Sequence, residues 1–290
     1  MRPVRHVKPA APARPVVLVK LGGSLITRKD RPDTPRPEVI DRLAREIAEA
    51  WPGLEGGLVL GHGSGSFGHA AAHDLGLLGG GASGGARNGS SESVPQIARG
   101  APHVQRKAAE LHALVMAALR EVDLPAFSIA PSSATTASEA RILSFQAEPF
   151  AIALSGSLLP VTYGDVVMDR EWGASILSTE TVLAGLAESL PDHGWAVERA
   201  IWLGETDGIY DAEGVTVSRV SASLGDPLRD AVGGSAATDV TGGMAHRLDT
   251  ALALAGRGVR SWIGDGTREG TLAKALIGEE VGGTVVPAVA

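Results

Sequence analysis

Two apolar runs that each end in glycine set the terms for this chain. The first spans residues 16–20, ends on Lys20, and runs through Leu21 into Gly22, Gly23 and Ser24. The second, residues 58–60, runs into Gly61, His62, Gly63, Ser64, Gly65, Ser66, Phe67, Gly68 and His69. Short apolar runs bounded by glycine read as strands buried on both faces, as in a parallel sheet covered by helices. In such sheets ligands gather at the carboxyl ends of the strands. Backbone N–H groups approach an anion closely only where side chains are absent, and a helix that starts at the turn adds a favourable dipole. Two such turns, one beside a lysine, read as a site for more than one phosphate group. Phosphoryl transfer is therefore the leading chemistry.

Further strands are predicted at 126–129, 159–162, 199–203 and 260–263. Between the strands lie helical patterns. Residues 38–50 place Val39, Ile40, Leu43 and Ile47 at three- and four-residue spacing, and 104–122 place Leu111, Leu114, Val115 and Leu119 likewise. Residues 179–190 and 244–256 are similar. This alternation predicts an α/β fold with a mostly parallel sheet covered on both faces. Residues 1–15 read as a flexible basic tail and 16–290 as one domain. Its acceptor-binding lobe is expected at about 16–165 and its nucleotide-binding lobe at about 166–290, as halves of one continuous sheet. Residues 79–91, rich in Gly and Ser, read as a flexible loop, either a substrate lid or a surface insertion.

Composition narrows the class. The 290 residues hold 44% apolar and only 4% aromatic side chains, which suits helices packed on a parallel sheet. No cysteine is present, so disulfides, thiolate zinc sites and cysteine nucleophiles are excluded. The formal charge is −7, while the first 15 residues hold Arg2, Arg5, Lys8 and Arg14 and no acid. An acidic body argues against nucleic acid as the partner. No stretch approaches the ~18 continuous apolar residues of a membrane span. A cytoplasmic enzyme without membrane contact is the expectation.

Other readings of the motifs are weaker. Gly63-x-Gly65-x-x-Gly68 matches a dinucleotide fingerprint, but the acidic residue expected about 20 positions on falls in the Gly/Ser loop. No P-loop pattern occurs. His69 and His73 could form a helical metal pair, but no intervening Glu supports it, and no residue is assigned to metal. Ser66 lacks a nucleophile-elbow context. Farther on stand Tyr163, Gly164, Asp165 and Asp169; Ser178 and Glu180; Gly204, Asp207, Gly208 and Tyr210; and Asp239 to Met244, whose Gly242-Gly243 turn opens a helix. These are a third anion-type turn and a set of acids able to hold a metal or orient lysines.

On these residues the chain resembles the amino acid kinase superfamily, and within it the isopentenyl phosphate kinases. Lys20 to Ser24 with Lys29 look like the opening motif, and His62 to His69 look like the family's His-Gly-Gly-Gly-Ser/Ala-Phe-Gly-His. Pro131 to Ser133, Gly164-Asp165, Asp207-Gly-x-Tyr210 and Asp239 to Met244 also match. The resemblance implies a three-layer αβα sandwich, ATP with Mg²⁺, a small-molecule phosphate acceptor and a homodimer. It implies that Lys20 bridges the transferring group, Lys29 holds ATP phosphate, and His69 bonds the acceptor phosphate. It places Gly22, Gly23, Gly63, Ser64, Gly65, Gly164 and Asp165 around the acceptor. Ser178, Asp207, Gly208, Tyr210, Gly242, Gly243 and Arg247 fall around the nucleotide. Four departures stand out: Ser64 replaces a glycine, Glu180 a lysine-orienting aspartate, Gly204-Glu205-Thr206 a Thr-Asp-Val, and Arg247 a lysine.

The chemistry is coherent with an anionic acceptor. A phosphate monoester has a second pKa of about 6, so it is already a dianion at neutral pH and needs no general base. It needs positive charge, which Lys20, Lys29, Arg247 and His69 could supply. An alcohol acceptor would want a carboxylate beside the hydroxyl, and near the second turn the one acid is Asp74. The alternatives are a kinase of another small phosphate or phosphonate, such as the fosfomycin-phosphorylating relatives, and a nucleotide-binding relative that has lost catalysis.

Overall fold

A computed structural model describes residues 13–54, 57–68, 94–221, 243–279 and 282–289. The tail to residue 12, His69, His73, Asp74, the 79–91 loop, Asp239 and Gly242 lie outside the described residues.

The chain runs β1 (Arg14–Leu21), α1 (Gly23–Ile26), α2 (Pro37–Ala50), β2 (Leu58–His62), α3 (Val94–Glu121), β3 (Ala126–Ser128), α4 (Pro131–Ala134), β4 (Thr135–Ser138) and β5 (Arg141–Phe145). It continues with α5 (Glu148–Ser155), β6 (Leu159–Tyr163), β7 (Asp165–Asp169), β8 (Gly173–Leu177), α6 (Thr179–Ser189), β9 (Trp195–Gly204), α7 (Gly243–Ala255), β10 (Arg260–Asp265), α8 (Thr271–Leu276) and β11 (Thr284–Val286). The main sheet has seven strands in the order β11-β10-β9-β1-β2-β6-β3. Every neighbouring pair is parallel except β10 and β11. All six strands expected from the sequence lie in it.

The alternation of side chains along β1 builds the three layers. Val16 and Leu18 enter a core with Phe150 and Leu154 of α5, Leu183 and Leu186 of α6, and Leu248 and Leu254 of α7. Val17, Val19 and Leu21 enter the opposite core with Leu43 and Ile47 of α2, Leu111 and Val115 of α3, and Leu272 and Leu276 of α8. Parity therefore assigns Lys20 to the α5–α6–α7 face. That assignment decides which helices meet it.

The expectation of one continuous sheet needs a correction. A second sheet of four strands, in the order β5-β4-β7-β8, stands apart from the first. Most of β5 and part of β4 face solvent, and β7 and β8, though largely buried, are five residues each and bounded or broken by Asp, Gly and Ser, so none was legible as an apolar run. Asp169 holds its hairpins. The carboxylate accepts from the backbone N–H of Glu139 (3.2 Å), Ala140 (2.8 Å), Glu171 (3.0 Å) and Trp172 (2.9 Å). Glu139 and Ala140 have φ of 53° and 60°, left-handed values that favour glycine. Asp169 is thus committed to a turn.

On the other face a buried acid ties two helices. Glu46 of α2 accepts from Leu272 N (2.8 Å) and Ala273 N (3.3 Å) at the start of α8, and pairs with Arg42. Among the described residues no helix is long and apolar enough to cross a membrane. Glu46→Ala takes the acceptor from two backbone amides, while Arg42 keeps the carbonyls of Gly266 and Arg268, so it should lower unfolding free energy by about 2 kcal/mol. Urea denaturation checks this, and Glu46→Gln should recover part of the loss.

Candidate active site

The two glycine turns meet. After β1, Gly22 N–H donates to Leu203 O of β9 (2.8 Å) and α1 begins. After β2, Gly63 N–H donates to Leu21 O (2.9 Å), and residues 65–68 turn helical. A methyl group on Gly23 would lie 2.5 Å from Gly65 N, and one on Gly63 would lie 2.7 Å from Gly23 N. No side chain fits between them. Gly65 has φ +50°, and a methyl there would lie 2.2 Å from Thr27 Oγ1. Thr27, fully buried, locks the pair: its hydroxyl donates to Gly23 O (2.8 Å) and accepts from Ser66 N (3.0 Å). The hydroxyl of Ser64 folds back toward Gly68, where a Cβ would meet it at 2.2 Å. The extra atoms at position 64 are thus accommodated over the glycine at 68.

Below the turns lies a buried charge cluster. Lys20 Nζ pairs with Glu180 in the first turn of α6. Arg247 Nε of α7 lies 3.8 Å from the same carboxylate oxygen. A Cβ on Gly204 would be 3.0 Å from Arg247 Nη1, and one on Gly22 would be 3.8 Å from Nη2. The guanidinium therefore lies across the ends of β1 and β9, and its buried Nε has no hydrogen-bond partner. Burial pushes the Lys20 ammonium below its ordinary range; Glu180 opposes this and Arg247 adds to it. Burial alone would raise the Glu180 carboxyl, but Lys20 and Arg247 hold it down at about 2. Two cations share one carboxylate in a low-dielectric site, so the cluster attracts a further anion.

Ser178 caps α6, accepting from Thr181 N (3.1 Å), and its hydroxyl lies 2.8 Å from His246 Nε2. Burial lowers the pKa of His246; Glu180 and Asp249 oppose this, and Lys20 and Arg247 add to it. Gly164 N–H (3.0 Å) and the Thr179 hydroxyl (2.7 Å) both donate to His62 O, which joins the end of β6 to the start of α6 beside the second turn. Asp165 accepts from Ser132 N (3.1 Å) and Val166 N (2.8 Å), and burial raises its pKa.

After β9 the Tyr210 hydroxyl donates to Asp207 Oδ1 (2.7 Å), which lowers the Asp207 pKa. A Cβ on Gly208 (φ +151°) would meet Thr284 Oγ1 at 2.5 Å. Gly243 opens α7. Lys29 is exposed, in a turn of the loop closed by the Thr27–Pro35 bridge. Asp33 in that loop pairs with Lys107 of α3 (2.5 Å). The structure thus brings Lys20, Gly22, Gly23, Gly63, Ser64, Gly65, Glu180 and Arg247 together, and it sets Lys29 on an exposed turn.

Arg36, His112 and Ser128 escaped the sequence reading, as did what His62 and Tyr163 touch. Arg36, at the start of α2, pairs with Glu205 after β9 (2.7 Å) and so spans the first turn. Beneath the second turn His62 Nε2 lies 3.0 Å from His112 Nδ1, and His112 Nε2 lies 2.7 Å from Ser128 Oγ. Tyr163 stacks on both rings. Burial lowers His62 to about 4 and His112 to about 3, so both rings are neutral at pH 7. Their partners lie 50 and 16 residues away in sequence, and no local pattern announces them.

The model of the amino acid kinase family matches residues 15–265. An isopentenyl phosphate kinase of Methanothermobacter thermautotrophicus is 32% identical over 93% of this chain and 98% of its own length. One from Haloferax volcanii is 32% identical over 82% and 88%. A crystal structure of isopentenyl phosphate kinase superposes with a TM-score of 0.75 at 28% identity, over 93% of this chain and 99% of that one.

Because the two rings bind protons only when the chain unfolds, stability should rise with pH between about 4 and 6.5. The slope should approach about 3 kcal/mol per unit where both contribute. Urea melts at pH 5 and 7 measure this. His112→Phe, which removes one titrating ring, should roughly halve the slope.

Proposed function

The chain belongs to the amino acid kinase family, and from that premise we propose that it transfers the γ-phosphoryl group of ATP to isopentenyl phosphate, giving the diphosphate. The observation that carries this reading is the direct contact of the two glycine turns over a cluster in which Lys20 and Arg247 share Glu180. Two turns that close, above surplus positive charge, suit two phosphate groups brought end to end. The full-length similarity to isopentenyl phosphate kinases supports the choice of acceptor.

In this reading the acceptor phosphate lies in the lobe to residue 165, against the backbone of Gly63, Ser64 and Gly65, with His69 as a further donor. ATP lies in the lobe from 166, with its phosphates on Lys20, Gly22, Lys29 and Arg247. Its nucleoside lies along Ser178, Asp207, Gly208, Tyr210, Gly242 and Gly243. The residues fit an anion: Gly22 leaves room under the Arg247 fork, and the buried Arg247 Nε is still without a hydrogen-bond partner. Mg²⁺ would travel with the nucleotide phosphates and neutralise them. Among the described residues no group of three or more His, Asp or Glu forms a metal cluster.

The work of the protein is alignment and charge neutralisation. Lys20 is fixed by Glu180 at the junction of the two turns, and Arg247 offers a planar fork. The acceptor is a dianion at neutral pH, so no residue has to remove a proton. A cytoplasmic homodimer completes the proposal.

An ADP-release assay with isopentenyl phosphate, dimethylallyl phosphate and fosfomycin tests it. Turnover is expected with isopentenyl phosphate, and none with either prenyl phosphate would sink the reading. Lys20→Met keeps the side-chain volume and should reduce kcat at least about 100-fold, with the thermal melt still cooperative. Retention of most activity would remove Lys20 from the mechanism.

A further inference from the structure

His62 has no place in the phosphate chemistry above, yet it grips the turn that does. Both polar groups of Gly63 are held: its N–H donates to Leu21 O (2.9 Å), and its carbonyl faces His62 Nδ1 at 3.1 Å. Resting on the acceptor site proposed above, we propose that His62 is a positioning residue that aims the Ser64 N–H at the acceptor phosphate, and that His112 and Ser128 hold it in the tautomer this requires.

The direction of the bonds follows from the partners. A carbonyl only accepts, so His62 Nδ1 carries the proton. In a neutral ring Nε2 then accepts, and His112 Nδ1 is the donor to it. His112 Nε2 in turn accepts from the Ser128 hydroxyl. The chain runs one way, from an exposed strand at the sheet edge to the turn. The rings are also clamped: His62 and His112 stack at 5.2 Å, and Tyr163 covers them at 5.6 and 4.3 Å. A flipped ring would lose both bonds.

The peptide between Gly63 and Ser64 is planar and trans, so its N–H points opposite to its C=O. The carbonyl points at a ring with no exposure at all. The Ser64 N–H therefore points out of the core, on a half-buried residue. The His62 bond fixes the direction of that carbonyl, and a peptide turned the other way would present a carbonyl oxygen to a dianion.

Nitrogen-15 NMR of the full chain labelled at histidine should find His62 protonated at Nδ1; protonation at Nε2 would overturn the proposal. His62→Phe keeps a flat ring in the stack and cannot donate. Its KM for isopentenyl phosphate should rise about 30-fold, with KM for ATP and kcat within about three-fold. His62→Asn offers an N–H close to the Nδ1 position and should recover most of the loss. His112→Phe, which frees the tautomer, should raise the acceptor KM about five-fold, and it carries the test should His62→Phe not fold. An unchanged acceptor KM, equal losses on both substrates, or failure of the Asn rescue would each refute the role. Titration of the wild-type chain with inorganic phosphate should shift the Ser64 amide. No shift counts against the inference, whereas a shift without ADP release from any prenyl phosphate leaves it standing and removes the acceptor assigned above.

Discussion

The contact between two stretches of bare backbone governs this molecule. Gly23 and Gly65 approach so closely that one methyl group at either turn would strike a main-chain nitrogen or a buried hydroxyl. That approach is possible only because β1 and β2 are parallel neighbours in register, with Leu21 opposite His62. Both turns leave the carboxyl end of the sheet, and Thr27 then bonds to each of them. The register of the sheet, the choice of glycine and the buried threonine are three parts of one constraint.

Charge is arranged on the same constraint. Parity along β1 sends Lys20 to the face covered by α6 and α7, so the N-terminal ends of those helices supply its neighbours. Glu180 stands near the start of α6, where the helix dipole favours a carboxylate, and its arm reaches Lys20 while remaining within range of Arg247. A shorter acid at that position would reach less far, and a lysine at 247 would lack the fork that lies across Gly22 and Gly204. The two departures from the family pattern therefore occupy one cluster. Arg36 and Glu205 add a second pair across the same turn, where Glu205 is itself part of a departure.

Much of this was legible in the sequence, and the unread parts share a cause. Six strands of the seven-stranded sheet announce themselves because its inner strands are apolar on both faces, whereas the edge strand β11 went unread, and the two glycine turns show because glycine is conspicuous. The four-stranded sheet is silent because its strands are short and partly exposed, and its order comes from Asp169 binding four backbone amides across two hairpins. From sequence, Asp169 looked like one acid among several with a share in chemistry. Its commitment to turns depends on contacts 29 and 30 residues away in the chain. The His62–His112–Ser128 chain is hidden likewise, because a histidine on a helix acquires meaning only from what faces it.

That chain of histidines also bears on how the reaction proceeds. It ends on a carbonyl, which cannot pass a proton onward, and every donor in it points toward the turn. It is consequently a brace and not a proton shuttle. A charged imidazolium at His62 would need an acceptor at Nε2, where His112 Nδ1 already donates, so the arrangement is self-consistent only with neutral rings, as their burial dictates. A site built for an alcohol would have to remove a proton close to this turn. Here the machinery beneath the turn is neutral and directional, and the charge beside it is positive. A dianionic acceptor asks for nothing else: its oxygen is already ionised, and what limits its approach to a second phosphate is repulsion. In the reading proposed above, fixed amides and the Lys20–Arg247 pair would answer that repulsion, and an anionic acceptor would account for the presence of the cations and for the neutrality of the buried histidines together.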